Sequence, residues 1–259
     1  MGVLDARSAL VTGGGTGIGR AIAIDLAGAG AEVVVCGRRP EPLEETVRAV
    51  AEAGGQARHI ACDLGDPDAI EAMAASLLER HGVIDILVNN AGLNSSIRST
   101  RYVGPEEWRD VMDVNTMGPA MLTRALLPAM IERGAGDVVM IASMAALRAS
   151  VMAGVAYSAS KAAAKAYMDV LATEVRRHGV RCIIVYPGEV DTPILDLRAL
   201  VPDAAARATM MQPEDISAAV LMAVSLPRRA MVSEIAVVAT EARDQSADVA
   251  AAMAKRQAE

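Results

Sequence analysis

Tyr157 and Lys161 are the residues of this sequence whose types and spacing most directly suggest chemistry. They lie four positions apart in a segment with helical periodicity, so both side chains project from one helix face. A phenol has a pKa near ~10 and is a poor base at neutral pH, but an adjacent ammonium favours the phenolate. A pKa of Tyr157 lower by about 2–3 units would correspond to roughly 3–4 kcal/mol of stabilisation of the phenolate relative to the neutral phenol. The pair is therefore predicted to transfer protons, although a half-buried tyrosine and a surface lysine also fit this spacing.

Ser143 and Asn115 extend the candidate site. Ser143 follows a strand-like run, and its hydroxyl can hydrogen-bond and polarise a substrate oxygen. Asn115 lies in a helical segment, where it can hold a water that links Lys161 to solvent and returns the proton. Each alone also fits an ordinary structural role. Their common placement, at the carboxyl end of a strand or in the following helix, predicts a joint catalytic site.

A glycine-rich turn directly follows the first strand-like run and precedes a helical pattern. Glycines let the backbone approach a pyrophosphate, and the positive end of the following helix faces the anion. A plain loop is the alternative, because the glycine spacing is G-x-x-x-G-x-G and not the commoner G-x-G-x-x-G. The predicted contacts are Gly13, Gly15, Thr16, Gly17, Ile18 and Gly19.

The next two strand ends carry polar groups suited to a dinucleotide. Arg38 and Arg39 stand where NAD-binding members of such folds usually place an acidic residue, and two guanidiniums can hold a 2′-phosphate. They predict NADP, with NAD possible, unless both are solvated loop residues.

The third and fourth strands also end in groups suited to the cofactor. Asp63, followed by Leu64, can accept a hydrogen bond from an adenine amino group or cap the next helix, for which Asp66 is better placed. Asn90, Ala91 and Gly92 can form a wall beside the cofactor.

The elements that must position these residues alternate along the chain. Short apolar runs predict strands at 8–11, 32–36, 58–61, 84–88, 137–142, 181–186 and 234–238. Helical patterns lie at 18–29, 41–53, 67–81, 105–132, 155–178 and 213–225. This alternation predicts an α/β fold with a Rossmann-like, doubly wound parallel sheet and helices on both faces. Ligands of that architecture bind beyond the carboxyl ends of the strands.

The predicted organisation is a single dinucleotide-binding catalytic domain at 1–240 and an exposed C-terminal tail at 241–259. Residues 188–212 have weak periodicity and contain Pro193 and Pro202, which makes them a candidate mobile lid.

Composition narrows the class of protein. The chain has 259 residues, a net charge of −7 and no dense basic segment, which argues against nucleic acid as a partner. Its three cysteines are widely spaced in apolar runs and are expected to be buried free thiols. Its three histidines lack metal-ligand spacing, so no metal site is predicted. With no signal-like start and no run of ~20 apolar residues, we expect a cytoplasmic protein without a membrane partner.

Together these motifs resemble the short-chain dehydrogenase/reductase family, in its single-domain branch, over about residues 5–240. The matching segments are Thr12–Gly19, Asp63-Leu64, Asn89–Gly92, Asn115, Ser143, Tyr157 with Lys161, and Pro187–Thr192. The resemblance implies a sheet order of 3-2-1-4-5-6-7 and a homodimer or homotetramer packed through the helices at 105–132 and 155–178. It also implies that Lys161 holds the nicotinamide ribose, with the oxidised nicotinamide ring aiding the phenolate. The catalytic tetrad that it implies is Asn115, Ser143, Tyr157 and Lys161, and the further cofactor contacts are Pro187, Gly188, Val190 and Thr192.

Two positions depart from the family pattern. Thr16 stands where NADP-preferring members often carry a basic residue, so cofactor choice depends on Arg38 and Arg39. The last strand, 233–240, lacks the pair of glycines with which many members end, and is similar to a subgroup that oxidises serine and other 3-hydroxy acids.

The predicted function is hydride transfer between a nicotinamide cofactor and a small secondary alcohol or ketone, with Tyr157 as general acid and base. The alternative is a non-enzymatic NAD(P)-binding sensor on the same fold. Arg98, Arg101 and Arg148 fall in segments expected to line the substrate pocket. They can bind an anionic substrate, but exposed surface arginines are the simpler expectation.

Overall fold

The protein, described over residues 2–256 of a computed structural model, is built on one seven-stranded sheet. Its strands are β1 (Ser8–Thr12), β2 (Glu32–Gly37), β3 (Gln56–Ala61), β4 (Ile86–Asn89), β5 (Gly136–Ile141), β6 (Val180–Pro187) and β7 (Glu234–Val237). All pairings are parallel, in the order β3-β2-β1-β4-β5-β6-β7. The predicted fold class and strand order are confirmed.

Helices cover both faces of the sheet. They are α1 (Gly17–Gly28), α2 (Pro40–Glu52), α3 (Pro67–His81), α4 (Pro105–Met112), α5 (Gly118–Arg133), α6 (Val155–Val175), α7 (Ala204–Ala208), α8 (Pro213–Ser225) and α9 (Ser246–Ala254). Four predicted helices, at 18–29, 41–53, 67–81 and 213–225, match α1, α2, α3 and α8 to within one residue at each end. The helix predicted at 155–178 ends earlier, because Arg176–His178 form a 3-10 turn.

Alternate strand residues point to opposite faces and divide the core in two. Leu10 and Val34 pack with α3, α5 and α6 on one face. Val11 and Val35 pack with α1, α2 and α8 on the other face. Because both faces are buried, the central strands are continuous apolar runs, which is the pattern that predicted them.

The helix predicted at 105–132 is interrupted in its middle. Asp113–Met117 form a π-helical turn between α4 and α5, and Asn115 lies in it. Just beyond the turn, a side chain on Gly118 would collide with the Leu64 carbonyl oxygen. The wider turn thus lies against the segment after β3, and π-helical turns of this kind are frequent at functional sites. Residue types alone do not distinguish such a turn from a continuous helix.

The C-terminal tail at 241–259, predicted to be exposed, is partly packed against the rest of the domain. Residues 246–254 form α9, in which Asp248 and Ala252 are buried, and Arg243 forms ion pairs with Asp248 and Glu189. The described part of the tail therefore packs on the segment after β6, and residues 257–259 lie outside the described residues. That segment, 188–212, contains a 3-10 turn at Pro193–Leu197 and α7; its mobility stays a prediction.

Residues 2–256 contain neither a membrane-spanning helix nor a cluster of metal ligands. No helix in this part of the chain is long and apolar enough to cross a membrane. No group of three or more His, Cys, Asp or Glu side chains in it can hold a metal ion. Cys36, Cys62 and Cys182 are buried and free, as expected.

Candidate active site

A cleft of about 970 Å³ opens where the strands end at their carboxyl termini. It is the position at which the doubly wound architecture binds ligands. Most of the predicted site residues line it: Gly13, Thr16, Gly17, Ile18, Arg38, Arg39, Asp63, Leu64, Asn90, Ala91, Gly92, Ser143, Tyr157, Lys161, Pro187, Gly188, Val190 and Thr192. Gly15, Gly19 and Asn115 are not among the lining residues and lie behind it.

The glycine turn at one end of the cleft is fixed to the end of β4 by hydrogen bonds between backbone groups and the side chains of Thr12 and Asn90. Thr12 is fully buried, and its Oγ1 accepts hydrogen bonds from the backbone N–H of Asn90 and of Ala91, each at 2.9 Å. The Asn90 amide nitrogen donates to the Thr12 carbonyl oxygen at 2.9 Å. Gly13 has φ +62°, and a Cβ there would lie 2.8 Å from the Ala91 Cα. This close approach requires glycine and keeps the turn open on the cleft side.

The start of α1 is suited to an anion. Its N-cap residue, Thr16, makes no side-chain capping bond, so the first N–H groups of the helix lack a side-chain acceptor. An anion at this end satisfies those donors and the helix dipole. Behind the turn, Arg20 donates to the Gly15 carbonyl oxygen at 2.6 Å, and Gly19 packs against Gly13. The turn therefore fits a pyrophosphate, with Gly15 and Gly19 as its support.

The ends of β2 and β3 carry the groups predicted for the adenosine half. Arg38 and Arg39 are exposed at the cleft edge, with no ion pair to any carboxylate of residues 2–256. Asp66 caps α3 by accepting from Asp68 N and Ala69 N, as the sequence favours. Asp63 instead accepts from Gly65 N at 2.9 Å and lines the cleft. Its second carboxylate oxygen accepts no hydrogen bond from residues 2–256 and can accept one from a ligand in the cleft.

Tyr157 lies in the first turn of α6, partly buried, and its phenol shares the cleft with the Ser143 hydroxyl. Ser143 follows β5, and its Oγ accepts from Ala145 N at 3.1 Å. Burial raises the pKa of the Tyr157 phenol above its ordinary value, while the Ser143 hydroxyl and the charge of Arg98 act in the opposite direction. Burial is the largest of these causes, and the acidification of Tyr157 by Lys161 stays a prediction.

Lys161 is buried, one helical turn after Tyr157. Its Nζ lies 5.7 Å from the centre of the tyrosine ring and donates to the Ile141 carbonyl oxygen at 2.9 Å. Burial lowers the pKa of Lys161 to about 8. The amine is therefore still mostly protonated at neutral pH, and it lies within reach of the phenol.

Asn115 is joined to the segment after β4 rather than to the cleft. Its Oδ1 accepts from Leu93 N at 2.7 Å, and its Nδ2 donates to Leu93 O at 2.8 Å and to Ser160 Oγ at 2.9 Å. A Cβ added to Gly92 would lie 3.6 Å from Asn115 Oδ1 and 3.6 Å from Lys161 Nζ. The two side chains thus border the same space beside Gly92.

The segment after β6 closes the other side of the cleft. Gly188 N donates to the Val237 carbonyl oxygen at 2.8 Å, so Pro187 and Gly188 continue the edge of the sheet. Val190 is buried, and Thr192 Oγ1 donates to the Val190 carbonyl oxygen at 3.3 Å. A Cβ on Gly17 would lie 3.0 Å from Thr192 Cγ2, so the two sides of the cleft meet there.

The end of the cleft that is formed by the segment after β6 and by residues 243–245 is here called the substrate end. It contains charged residues that local sequence patterns did not indicate. Glu189 binds Arg198 at 2.7 Å, Arg243 at 2.9 Å and the Gln245 amide at 2.9 Å, and all four side chains line the cleft. No sequence signal joins residues 54 positions apart.

Of the three arginines expected near the substrate, Arg101 and Arg148 are exposed, as expected. The expectation of an exposed Arg98 is wrong: its side chain is 2% exposed because it packs under the start of α6.

The chain is similar to the members of one protein family. The model of the short chain dehydrogenase family matches residues 7–199. Dehydrogenase/reductase SDR family member 7B of Bos taurus is 40% identical over 202 residues, which cover 75% of this chain and 61% of the relative. The chain thus spans less than two thirds of that relative's length. A 3beta-hydroxysteroid dehydrogenase of Mediterraneibacter gnavus is 35% identical over 196 residues, covering 76% of this chain and 70% of the relative.

Solved structures give the same result. A metagenomic short-chain oxidoreductase crystallised in complex with NADP superposes with a TM-score of 0.81 and 35% identity, covering 93% of this chain and 100% of that one. The chain therefore belongs to the short-chain dehydrogenase/reductase family of oxidoreductases.

Proposed function

We propose that this protein interconverts a small secondary alcohol and its ketone with NADP as cofactor and with Tyr157 as general acid and base. The observation that carries the proposal is the convergence of Tyr157, Ser143 and Lys161 in one cleft, which also contains a glycine turn suited to a pyrophosphate. A non-enzymatic sensor needs only the glycine turn that binds the cofactor. The hydroxyl of Ser143, the phenol of Tyr157 and the buried ammonium of Lys161 are groups that proton transfer requires, so their presence favours an enzyme.

The protein's own residues account for the movement of the proton. During reduction the Tyr157 hydroxyl gives its proton to the ketone oxygen, and during oxidation the phenolate takes it back. Ser143, which lines the same cleft, can donate to the same substrate oxygen and so favours charge on it. Lys161 supplies a positive charge beside the phenolate, and Asn115 borders the space through which the proton is returned.

A bound nicotinamide dinucleotide supplies or accepts the hydride. The residues that would hold it are those of the fit described above: the glycine turn for the pyrophosphate, Asp63 for the adenine, and Lys161 for the nicotinamide ribose. Val190 and Thr192 would contact the carboxamide. Preference for NADP over NAD is supported by the two exposed arginines after β2, which pair with no carboxylate in the described part of the chain, and by the NADP complex of a related oxidoreductase.

The proposal also includes the organisation of the molecule. One catalytic domain carries the whole reaction, and α9 belongs to it because Arg243 reaches Glu189 at the cleft. Two or four copies would pack through α4, α5 and α6. The substrate would be a small molecule that shares the cleft of about 970 Å³ with the cofactor.

The test is the Tyr157→Phe variant, assayed on a panel of secondary alcohols, 3-hydroxy acids and ketones with NADPH and NADH. Because general acid–base groups contribute about 10²–10⁴-fold, we expect kcat to fall at least about 100-fold while cofactor binding, followed by fluorescence, persists. Tyr102→Phe is the matched control, because Tyr102 lies outside the cleft and loses only its hydroxyl. Undiminished turnover by Tyr157→Phe would reject the proposed mechanism.

A further inference from the structure

Arg98 is a buried cation that forms no ion pair with any carboxylate of residues 2–256. Its side chain is 2% exposed, and its Nη1 donates to the Ala153 carbonyl oxygen at 2.7 Å. Nη2 donates to the Leu197 carbonyl oxygen at 3.3 Å, and Nε is buried with no partner among residues 2–256. Burying a guanidinium without a paired anion costs free energy, so its presence in the core of the cleft calls for a compensating role.

The first turn of α6 rests on this arginine. Val155 N, at the start of the helix, donates to the Arg98 carbonyl oxygen at 3.1 Å. Gly154 has φ +92°, and a Cβ there would lie 2.8 Å from Arg98 Cδ, so only glycine allows the helix to begin this close. Asn94 adds a hydrogen bond to the Ala153 carbonyl oxygen at 3.3 Å. The backbone two residues before Tyr157 is therefore held by the segment after β4.

The same guanidinium also reaches the segment after β6. Leu197 ends the 3-10 turn at Pro193–Leu197, which borders the cleft from the opposite side. One planar side chain thus bridges the carbonyls of two segments, at Ala153 and Leu197, while its own backbone belongs to a third. A guanidinium is suited to this because it presents several donors in a fixed plane, which an ammonium does not.

We propose that Arg98 is a positioning residue, which joins the 193–197 turn to the start of α6 and places a positive charge beside the Tyr157 phenol. This inference rests on the proposed function, in which Tyr157 moves the proton. The bridge between Ala153 O and Leu197 O holds the start of α6 in place, and the charge of the guanidinium favours the charged form of the phenol.

The electrostatic surroundings of Tyr157 agree with this role. The charged groups that face the phenol are Arg98, from the segment after β4, and Lys161, on its own helix, while Ser143 contributes a hydroxyl from the segment after β5. Arg198 lies near Arg98 on the side of the 193–197 turn. Burial raises the pKa of Tyr157, and the Ser143 hydroxyl and the charge of Arg98 lower it. Removal of the Arg98 charge should therefore raise that pKa further.

The experiment compares the pH profiles of Arg98→Met and Arg98→Lys with that of the wild type. Oxidation of a neutral secondary alcohol is followed, so that lost attraction for an anionic substrate cannot imitate the effect. Oxidation needs the phenolate, so kcat/KM rises with pH through the pKa of Tyr157. We expect Arg98→Met to move the midpoint upward by about one pH unit and to lower kcat at neutral pH about tenfold. Arg98→Lys should restore most of the midpoint but not kcat, because lysine cannot bridge both carbonyls.

Arg101→Met is the matched control, because Arg101 is exposed and lies outside the cleft, and it should keep the wild-type profile. Folding is checked by cofactor binding. If Arg98→Met does not fold, Arg98→Lys decides: unchanged kcat overturns the inference, and reduced kcat with a retained midpoint supports it. An unshifted midpoint in folded Arg98→Met, with only KM raised, also overturns it. Tyr157→Phe separates the two proposals, since its full activity would reject the proposed function itself.

Discussion

The two ends of the cleft are held together by different kinds of interaction. At the cofactor end, short neutral side chains join the glycine turn to the end of β4, because the Thr12 hydroxyl and the Asn90 amide each form hydrogen bonds with backbone groups. At the substrate end, charged side chains join the segment after β6 to the C-terminal helix through Glu189, Arg243 and Asp248. The first arrangement leaves little freedom for change. The second depends on long side chains whose partners can be exchanged.

The two kinds of interaction place different demands on the sequence. Backbone contacts to a pyrophosphate are independent of side-chain identity, provided that the glycines are present. Side-chain ion pairs at the substrate end can be replaced one at a time without rebuilding the sheet. We therefore expect substitutions at the cofactor end to affect folding and cofactor affinity together, and substitutions at the substrate end to affect mainly KM for the substrate.

The largest effect is expected from Gly19→Ala. A Cβ at this position would collide with the Gly13 carbonyl oxygen and the Asn90 amide nitrogen, so the turn must shift. Overpacking of this kind costs about 1–3 kcal/mol, and we also expect at least a tenfold loss of cofactor affinity. Urea unfolding and fluorescence titration measure the two effects.

Gly28→Ala, near the end of the same helix, is its control. A Cβ there meets no atom within 4 Å, and alanine in a helix should raise the free energy of unfolding by about 0.5–1 kcal/mol. Equal behaviour of the two variants would show that the turn is adaptable, and the comparison between the two ends of the cleft would fail.

The same contrast explains what the sequence could predict. The strands, the glycine turn and the strand-end groups follow from patterns within a few residues, because each βαβ unit is local. The helix cap at Asp66 was predicted for the same reason. The family resemblance supplied the strand order, which no local pattern determines.

What the sequence did not predict depends on distant pairs. Arg98 meets Leu197 across 99 positions, and no spacing rule links them. The packing of the C-terminal segment was missed because an Ala-rich, charged stretch does not indicate which of its few charges will be buried. The π-helical turn at Asn115 was missed because it differs from a helix only in its backbone.

An intermediate effect is expected from Arg38→Ala and Arg39→Ala. If these exposed guanidiniums hold a 2′-phosphate, their loss should raise KM for NADP about tenfold or more, equivalent to roughly 1.4 kcal/mol, and leave KM for NAD unchanged. Arg48→Ala, an exposed arginine of α2 outside the cleft, should leave both constants unchanged. An unaltered ratio of the two KM values in the double variant would reject the proposed NADP preference.

The smallest effect is expected from Glu189→Gln, at the substrate end. Burial alone would raise the pKa of Glu189, but Arg243, Arg198 and Gln245 hold it below its ordinary value. A carboxyl whose pKa is lowered by folding stabilises the protein above the unfolded value, ~4.3, and loses that contribution as the pH falls through the folded value. We therefore expect Glu189→Gln to lower the free energy of unfolding by about 1 kcal/mol at pH ~7, and by progressively less below pH ~4.

The kinetic counterpart is a KM for the substrate raised a few-fold, with KM for the cofactor unchanged, because the ion pairs position the segment after β6 and not the glycine turn. Glu241→Gln is the control, since Glu241 lines the cleft but is exposed and unpaired among residues 2–256. Urea unfolding at the two pH values and steady-state kinetics measure both effects. A loss of cofactor affinity in Glu189→Gln as large as that in Gly19→Ala would mean that the two ends of the cleft are mechanically coupled, and Arg98, which contacts both walls of the substrate end, would be the first residue to examine for that coupling.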